Sequence, residues 1–300
     1  MKKFLLIIFA AILISGCTSE KFERSEILMG TVVTLKAEGK NSQAAVDEGF
    51  DKIFELEKNI LVDVKKIEAA AEIDYVKISP DVYKILETAQ NFSKLTGGAF
   101  DVTIGAAVEL WNIGTENPRV PNEEELSAVK NFVGFEHLHL REGMAYLDKR
   151  GVKINLGGIA KGYGVDLARK IFADKKIRSG LIDFGTSTIF AVGKKNIGIK
   201  NPRGEGIAEI VRLENFALST SGDYEKFFVV EGRRYHHIIN PKTCAPTEGK
   251  NFSVSVVVDG SLEDCATVAD ILSTAAFILD AERAEKLLTE NKIPAAIIRH

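Results

Sequence analysis

The sequence predicts an α+β fold, a single domain in which a mainly antiparallel sheet packs against helices. After residue 97, short β-rich segments alternate with helical ones. Several neighbouring strands are joined by short polar turns, such as residues 230–233, and turns of this length favour antiparallel pairing. Residues 27–300 contain no internal repeat, low-complexity tract or linker-like stretch, so we expect one domain over that range.

The first third of the domain is predicted to contain one strand and two helices. Residues 29–37 alternate apolar and polar side chains and are rich in β-branched residues, as in a half-buried strand. A polar cap precedes a helix over 43–60, in which the apolar residues share one side. A Ser-Pro-Asp start signal precedes a second helix over 82–95, and the glycine pair at 97–98 ends it.

The rest of the domain is predicted to alternate strands with three helices. Alternating β-branched residues indicate the strands, and apolar residues at helical spacing indicate the helices. Ser261 and Asp264 resemble the ends of a capping box at the start of the second of these helices. The strands are expected at 152–156, 180–184, 190–192, 197–200, 208–213, 227–230, 235–239 and 252–258, and the helices at 162–173, 263–279 and 282–291.

The composition and net charge argue against several classes of partner. The chain is 45% hydrophobic and 27% charged, which is a globular balance, with 39 Lys and Arg against 42 Asp and Glu. The resulting net charge of −3 gives no long-range positive field, so no nucleic-acid partner is expected. Because only 8% of the residues are aromatic and only three are Met, an aromatic-lined carbohydrate groove or a Met-rich peptide groove is also disfavoured.

The N-terminus has the layout of an export signal. Two lysines precede an apolar run over residues 4–14, which is too short to span about 30 Å of hydrocarbon as a helix. Ile14-Ser15-Gly16-Cys17 resembles a bacterial lipobox, so we expect a signal peptide at 1–16, a lipidated Cys17 and a polar tether that ends at residue 26. The protein would then be anchored in a bacterial cell envelope, facing the periplasm or the exterior. A plain secretory signal or a buried N-terminal helix is the alternative.

Lipidation of Cys17 would account for one of the three cysteines. The other two, Cys244 and Cys265, would lie in a compartment where disulfides persist. Their spacing does not show whether their Cβ atoms meet, so a disulfide and two free thiols both stay open.

A polar cluster in the helix predicted at 263–279 is a candidate metal site. Asp270 and Thr274 are four residues apart and share one face, with Ser273 beside them. A buried, unpaired carboxylate in this otherwise apolar helix is costly, and a cation such as Mg²⁺, which takes hard oxygen ligands, would offset that cost. The alternative is an Asp at the solvent edge of the helix, with both hydroxyls bonded to helix carbonyls.

Residues 154–164 join a predicted strand to a helix through a glycine-rich turn. Glycine lets a ligand approach the backbone, and a helix N-terminus offers free N–H groups to an anion. Lys161 adds a positive charge there. The spacing is neither that of a P-loop nor that of a Rossmann turn, so a tight turn without a ligand is an equal alternative.

Three further segments are candidates for chemistry. His237, on the strand predicted at 235–239, is a potential proton acceptor near neutral pH, and a structural histidine bonded to a backbone carbonyl is the alternative. Asp101 follows the double-glycine turn, where it would hold a ligand hydroxyl or ring nitrogen or else cap the next segment. The hydroxyl-rich segment 218–224 is either a phosphate-binding loop or a polar turn.

Six motifs, taken together and in order, resemble those of the ApbE family, the FAD:protein FMN transferases. The resemblance covers about residues 27–300, and because members of this family are commonly exported lipoproteins it agrees with Cys17. The motifs are Met29-Gly30-Thr31, TGGAFD at 96–101, LGGIAKGY at 156–163, STSGDY at 219–224, HIINPKT at 237–243 and ADILST at 269–274.

The resemblance implies an enzyme that transfers FMN from FAD to a Ser or Thr hydroxyl of an exported electron-transfer protein and releases AMP. It implies that Asp270, Thr274 and the backbone carbonyl of Gly158 hold Mg²⁺, with Ser273 where some members have another carboxylate. His237 corresponds to the family's proposed base, so His237 and Asp270 are the expected catalytic residues. The FAD contacts carry over to Met29, Ala99, Phe100, Asp101, Asn155, Lys161 and Ile239.

Three positions depart from the family's pattern. Ile67-Glu68 stands where a Ser-rich segment usually ends in Ile-Asn, on the adenine side of the pocket. Gly185-Thr186-Ser187 replaces a Gly-Gly pair beside the isoalloxazine or phosphate site. Cys244 replaces a glycine after Pro-Lys-Thr, at a site that favours a positive φ and would then be strained.

Two other functions would use the same residues. If water replaced the acceptor hydroxyl, the protein would be an FAD pyrophosphatase that yields FMN and AMP. If FAD bound without reacting, the protein would store or sense flavin. Covalent labelling of an acceptor domain with flavin separates the transferase from both alternatives.

Overall fold

The computed structural model describes residues 20–185, 187–248 and 251–300, so the predicted signal peptide, Cys17 and Thr186 lie outside the described residues. Within these ranges an antiparallel sheet packs against helices, which confirms the predicted α+β fold. The elements in chain order are β1 (Lys21–Leu28), β2 (Thr31–Glu38), α1 (Ser42–Ala69), β3 (Val76–Lys77), α2 (Pro80–Leu95), α3 (Gly105–Trp111), α4 (Glu123–Val129), β4 (Leu138–Arg141), β5 (Met144–Leu147), α5 (Ala160–Asp174), β6 (Ser179–Phe184), β7 (Thr188–Lys200), β8 (Ile207–Gly222), β9 (Phe227–Val230), β10 (Arg233–His236), β11 (Ile239–Asn240), β12 (Ala245–Pro246), β13 (Ser253–Asp259), α6 (Cys265–Ile278), α7 (Ala281–Glu290) and β14 (Ala295–Arg299).

The central sheet has the strand order β1-β2-β6-β7-β8-β13-β14, and every neighbouring pair is antiparallel. In strand β2, buried and exposed side chains alternate, as expected for a strand with one face against the core. Val33, Leu35 and Ala37 are fully buried, and their neighbours are at least partly exposed. Helices α1, α5 and α6 cover this face of the sheet. Helix α6 is buried nearly all round, since it lies between the sheet and α5.

The β7–β8 hairpin bends back over the opposite face of the sheet. A straight strand with the 16 residues of β8 would be about 50 Å long. Arg203, beside the hairpin tip, nevertheless pairs with Asp223, which directly follows β8. The bend coincides with a bulge at which Gly193, with φ of 70°, donates its N–H to Asn215 Oδ1 at 2.9 Å. The far part of the hairpin thereby packs Ile199 into one apolar cluster with sheet residues such as Leu218.

Two smaller layers complete the domain. Helix α2 and the three-stranded sheet β3-β5-β4 pack around the second half of α1, with Leu56 and Ile85 in their common core. Helix α3 and the hairpins β9–β10 and β11–β12 surround a third cluster, in which Trp111 Nε1 donates to the carbonyl of Cys244 at 2.7 Å. These layers form the wall opposite the sheet in the cavity described below.

Asp166 on α5 caps the start of α6. One carboxylate oxygen accepts the N–H of Ala266 at 3.1 Å, and the other accepts the N–H and the hydroxyl of Thr267 at 2.8 and 2.7 Å. Burial raises the pKa of Asp166 to about 6. The capping box predicted at Ser261 and Asp264 is wrong, because Asp264 precedes the helix but its side chain makes no cap hydrogen bond.

Replacing Asp166 by Ala is expected to destabilise the protein by about 2 kcal/mol, because three buried donors at the start of α6 would lose their acceptor. Urea unfolding near neutral pH measures the change. Asp174→Ala, at the exposed end of α5, is the matched control and should change the free energy of unfolding by less than about 0.5 kcal/mol. Equal unfolding curves for Asp166→Ala and the wild type would contradict the capping role.

The predicted tether is shorter in the structure. Residues 21–26, assigned to it above, belong to β1, which pairs with β2 along its whole length. Strand β1 lies at the edge of the sheet and buries little, so its side chains show no apolar periodicity. The predicted helix at 43–60 likewise continues to Ala69, where its second half packs against α2.

Four other predicted strands differ from the structure. Residues 152–156 make one isolated bridge, from Lys153 to Ile104, and are not part of a sheet. The segments at 190–192 and 197–200 are parts of the single bent strand β7. The strand predicted at 235–239 is interrupted after His236, so His237 lies between β10 and β11.

The cysteines Cys244 and Cys265 are free thiols in two different apolar clusters, so they do not pair with each other. Burial raises their pKa values to about 11 and about 12, and both stay protonated near neutral pH. Among the described residues, no helix is long and apolar enough to cross a membrane.

Candidate active site

A cavity of about 460 Å³ lies at one end of the central sheet, where β1 turns into β2, β6 approaches β7, and β8 ends. All six motifs contribute residues to its lining. Of the twelve residues that the sequence analysis selected, the cavity is lined by Met29, Ala99, Phe100, Asp101, Asn155, Gly158, Lys161, His237, Ile239, Asp270 and Thr274, and not by Ser273. The fold therefore brings together segments that are distant in the chain, while their individual roles stay predictions.

The turn between β1 and β2 brings Met29 to the cavity. Both turn residues have positive φ, 52° for Met29 and 72° for Gly30, as a two-residue type I′ turn requires. Glycine adopts this conformation freely, whereas Met29 is strained in it. The N–H of Met29 donates to Glu57 Oε1 on α1 at 2.6 Å, which holds the strained residue in place.

Asp270 and Thr274 form the polar part of the cavity floor. Asp270 is only 2% exposed; its Oδ2 accepts the N–H of Gly162 at 3.0 Å and its Oδ1 accepts the hydroxyl of Ser219 at 3.3 Å. None of the ion pairs among the described residues involves Asp270. A Cβ added to Gly158 would lie 3.0 Å from Thr274 Oγ1, so the backbone of the glycine-rich turn is next to this hydroxyl.

These residues fit a hard divalent cation. Asp270 is a buried carboxylate without a basic partner, and it shares the cavity lining with the Thr274 hydroxyl and with Gly158, whose backbone lies next to that hydroxyl. No group of three or more His, Cys, Asp or Glu side chains with metal-binding geometry occurs in the described part of the chain. A cation here would therefore need backbone, hydroxyl and substrate oxygens besides Asp270, which is the pattern of Mg²⁺ sites that bind phosphates.

Ser273 is placed differently from the prediction. It is fully buried, donates to the carbonyl of Asp270 at 3.0 Å and shares a 2.9 Å hydrogen bond with Ser221, which lines the cavity. Thr274 also donates to the Asp270 carbonyl, at 3.3 Å. The hydroxyl-to-carbonyl bonds considered as an alternative thus exist. With these bonds Thr274 still lines the cavity, whereas Ser273 does not and is linked to it through its hydrogen bond to Ser221.

The glycine-rich turn leads into α5 with its polar groups arranged locally. Asn155 Oδ1 accepts the N–H of Gly157 at 2.9 Å, and the Lys161 ammonium donates to the Gly157 carbonyl. Gly162 lies against α6 so closely that its N–H reaches Asp270. The N-terminus of α5 and the charge of Lys161 both face the cavity, where an anion would be stabilised.

Glu68 explains one departure from the family's pattern. It lies near the end of α1, accepts the N–H of Ile154 at 2.9 Å and pairs with Lys153 Nζ at 3.0 Å. Glu68 does not line the cavity and instead fixes the segment that leads to Asn155. Cys244, another departure, has φ of 54°, which confirms the expected positive φ at this position.

Asp101 enters the cavity wall after the double-glycine turn. Its Oδ1 accepts both the N–H and the hydroxyl of Thr103 at 2.8 Å, and burial raises its pKa. The hydroxyl of Thr103 in turn accepts the N–H of Gly134, also at 2.8 Å. Asp101 thus caps the following segment, as the alternative proposed, and it also lines the cavity.

The two neighbouring histidines have different environments. His236 is buried, with Nε2 bonded to the carbonyl of Thr247 at 2.9 Å, and is a structural histidine. His237 is partly exposed in the cavity wall, and its Nδ1 lies 3.3 Å from the carbonyl of Lys226. Because a carbonyl only accepts, Nδ1 carries the proton and Nε2 is free to accept one. Desolvation lowers the pKa of His237 to about 4, so its ring is neutral at physiological pH.

Replacing His237 by Ala is expected to lower the rate of the reaction at this site about a hundredfold. The reason is that the attacking hydroxyl would have no histidine nitrogen to take up its proton. Ligand affinity should change by less than about threefold, since one side chain of a large lining is removed. Pre-steady-state turnover and equilibrium flavin titration separate the two quantities. Loss of flavin binding with unchanged turnover of the bound fraction would contradict a role as base.

The pKa of His237 also predicts how stability depends on pH. Its value of about 4 in the folded protein is below the ordinary value of 6.5, so the unfolded chain takes up this proton first as the pH falls. The wild type should therefore lose stability relative to His237→Gln between pH of about 6.5 and 4, and the difference should be constant above this window. Urea midpoints at several pH values test this, and parallel curves for both proteins across that window would refute it.

Several residues that shape the site gave no sequence signal for the contacts they make. Glu57 and Glu68 are two of many charged residues on α1, and Ser219 lies in a polar segment of similar hydroxyls. Their partners, Met29, Ile154 and Asp270, are 28, 86 and 51 residues away. Only the three-dimensional structure shows these pairs.

The chain is similar in sequence and in structure to members of one protein family. The sequence profile of the ApbE family matches residues 29–298. The FAD:protein FMN transferase of Treponema pallidum is 32% identical, over 90% of this chain and 82% of that protein, and the one of Vibrio cholerae is 28% identical, over 99% and 94%. The crystal structure of the ApbE protein from Thermotoga maritima superimposes with a TM-score of 0.83 at 30% identity, covering 93% of this chain and 94% of that one. The flavin transferase ApbE from Vibrio cholerae gives 0.81 at 26% identity, covering 94% of both.

Proposed function

Because this chain belongs to the ApbE family, we propose that it transfers FMN from FAD to a Ser or Thr hydroxyl of an exported target protein in a reaction that requires Mg²⁺. Its named relatives are FAD:protein FMN transferases, and transfer of FMN from FAD to a target protein is accordingly its activity. The kind of hydroxyl, the cation and the location are the proposed parts. The observation that carries the cation is the buried Asp270, which has no basic partner and lies beside Thr274 and the glycine-rich turn. The location rests on the N-terminal sequence, and the Ser or Thr acceptor rests on the resemblance to the family.

The reaction is a substitution at the phosphorus of the FMN half. The acceptor oxygen forms a bond to this phosphorus, and the bond from the phosphorus to the bridging oxygen of the pyrophosphate breaks. AMP leaves with the bridging oxygen, and the hydroxyl proton passes to Nε2 of His237. The neutral state of His237 leaves this nitrogen available across the physiological pH range.

Asp270, Thr274 and the Gly158 carbonyl are the residues that would hold the cation. When bound, Mg²⁺ supplies positive charge to the pyrophosphate oxygens and orients them. The hydrogen bonds from Gly162 and Ser219 fix both oxygens of Asp270 before any ligand arrives. Such preorganisation avoids the cost of reorienting the carboxylate during the reaction.

The other lining residues would bind the rest of FAD. Lys161 and the N-terminus of α5 stabilise phosphate charge, and the carboxylate of Asp101, which lines the cavity, would accept a donor on the flavin or the sugar. Met29, Phe100 and Ile239 supply apolar surface for the rings. We assign Ala99 and Asn155 to the same pocket as backbone and amide contacts.

The proposal is tested by incubating the full-length protein with FAD, Mg²⁺ and a candidate acceptor domain. A flavin-fluorescent acceptor band in a denaturing gel, with one AMP released per label, supports transfer. FMN and AMP without a labelled band would instead support the pyrophosphatase, and unchanged FAD in complex with the protein would support storage. A chelator should abolish labelling and added Mg²⁺ should restore it; labelling that is insensitive to chelation would remove the cation from the proposal.

We further propose that Cys17 is lipidated and holds the protein in the cell envelope. The support is the sequence from Lys2 to Cys17, which has a charged start, a short apolar run and small residues before the cysteine. Mass spectrometry of the N-terminal peptide tests this directly. A Cys17→Ala variant that stays in the membrane fraction after a salt wash would contradict it.

A further inference from the structure

The strands that lead away from the cavity end at a basic corner of the domain. In the sheet, Lys21 at the start of β1 is the backbone partner of Glu38 at the end of β2. Glu38 is in turn the partner of Ser179 at the start of β6. Asn41 Nδ2 donates to the carbonyl of Lys175 at 3.1 Å, which joins the start of α1 to the end of α5 at the same corner. We call this region the basal corner and define it as Lys21, Lys40, residues 175–178 and residues 194–195.

The length of β2 separates the basal corner from the cavity. Thr31, at the start of β2, lines the cavity, and Glu38, at its other end, lies at the basal corner. The 8 residues of this strand span about 26 Å. Helix α1 runs the opposite way along the sheet, since it begins beside the basal corner and its Glu57 reaches Met29 at the cavity.

The spacing between Cys17 and β1 limits how far the corner can lie from a lipid anchor. Cys17 precedes Lys21 by four residues, and four residues reach about 14 Å at most, whatever their conformation. The tether predicted to reach residue 26 would have put ten residues before the fold and allowed about 35 Å. A lipid on Cys17 therefore brings the basal corner, rather than the cavity, next to the bilayer.

Basic side chains at the basal corner favour its contact with anionic lipid. The basal corner contains seven basic residues, and the acidic residues around it are Glu20, Glu38, Glu48, Asp174 and Glu214. Lys40, Lys176 and Arg178 are exposed and, among the described residues, form no ion pair. Free basic side chains close to an anionic leaflet each contribute about 1 kcal/mol of attraction.

We propose that the basal corner docks on anionic phospholipid headgroups, so that the strands of the sheet stand upright and the cavity lies about 26 Å farther from the bilayer. The inference rests on the proposed lipid anchor and is independent of the transfer reaction. The acceptor hydroxyl must then reach the cavity from above the headgroups. A target that carries its hydroxyl on a domain or a stalk meets this requirement, and one that carries it at the lipid surface does not.

Helix α1 provides two label positions at different expected distances from the bilayer. Gln43 and Lys65 are both exposed on this helix and are about 33 Å apart. Full-length lipidated protein carrying Gln43→Cys or Lys65→Cys is labelled with a fluorescent maleimide, since Cys244 and Cys265 are buried. It is then reconstituted into vesicles that contain phosphatidylglycerol and a headgroup-level nitroxide lipid. We expect quenching of the label at 43 to be at least about threefold greater than at 65.

Equal quenching at the two positions, or greater quenching at 65, would overturn the proposal. Exchanging Lys40, Lys176 and Arg178 for Glu should reduce the difference to what the lipid anchor alone produces, whereas exchanging the exposed Lys58, Lys77 and Lys94 for Glu should preserve it. An undiminished difference after the first triple exchange, or in purely zwitterionic vesicles, would overturn the role of anionic lipid. If mass spectrometry finds no lipid on Cys17, the inference fails while FMN transfer to a soluble acceptor stays unaffected.

Discussion

Asp270→Ala is expected to lower the rate of FMN transfer by about a thousandfold or more, because it removes the one carboxylate that lies between Gly162, Ser219 and the glycine-rich turn. The charge of the pyrophosphate would then be stabilised by the lining residues Lys161 and Lys226 and by backbone dipoles, without a cation held by Asp270. The measurement is the initial rate at which an acceptor domain gains covalent flavin at saturating FAD and Mg²⁺.

Two control variants separate charge from folding. Asp270→Asn keeps an oxygen that can accept the N–H of Gly162 but has no negative charge, so we expect a rate as low as that of the Ala variant with a free energy of unfolding nearer the wild type. Ser273→Ala changes a buried neighbour that does not line the cavity, and the rate should fall by less than about threefold. Wild-type labelling by Asp270→Asn would exclude a charge-based role for this residue.

Gly162→Ala is expected to have the largest effect on stability, about 3 kcal/mol or more, and to abolish transfer with it. A Cβ at this position would lie 2.4 Å from the carbonyl oxygen of Ala266 and 2.7 Å from the Cα of Thr267. Both atoms belong to the backbone of α6, so the conflict is relieved only if α5 and α6 move apart. That movement would also withdraw the Gly162 N–H from Asp270.

A second helical glycine provides the control for this prediction. Gly49 in α1 would place its Cβ 2.8 Å from Cδ1 of Leu35, the end of a side chain that can rotate away. The cost of that adjustment is offset by the higher helix propensity of Ala, so Gly49→Ala should stay within about 1 kcal/mol of the wild type. Thermal and urea unfolding of both variants decide the matter. Similar stability losses would show that crowding by α6 is not the cause.

The site was predictable from sequence where short segments carry their own chemistry. Asp270 and Thr274 stand out because polar residues at helical spacing interrupt an apolar helix, and the motif that contains His237 occupies a recognisable turn. The class of fold followed from alternating strands and helices joined by short turns. These signals are local, and they survive without knowledge of the tertiary structure.

What could not be predicted depends on contacts between distant segments. The cap of α6 comes from Asp166, about one hundred residues before it, while the local Ser261 and Asp264 offered a plausible but incorrect capping box. The β7–β8 hairpin looked like several short strands because its bend exposes one part and buries another. Strand β1 was assigned to a tether because an edge strand with one packed face resembles polar coil.

Strand β1 also matters for how copies of the protein behave beside one another. Among the described residues it pairs with β2 alone, so its other side presents unpaired backbone groups, a surface that invites strand addition and aggregation. Four of its eight residues are charged: Lys21, Glu23, Arg24 and Glu26. A second copy that paired along this edge would strip these charged side chains of water, which disfavours the pairing. The same polar pattern that hides the strand from sequence analysis thus keeps neighbouring molecules from joining edge to edge.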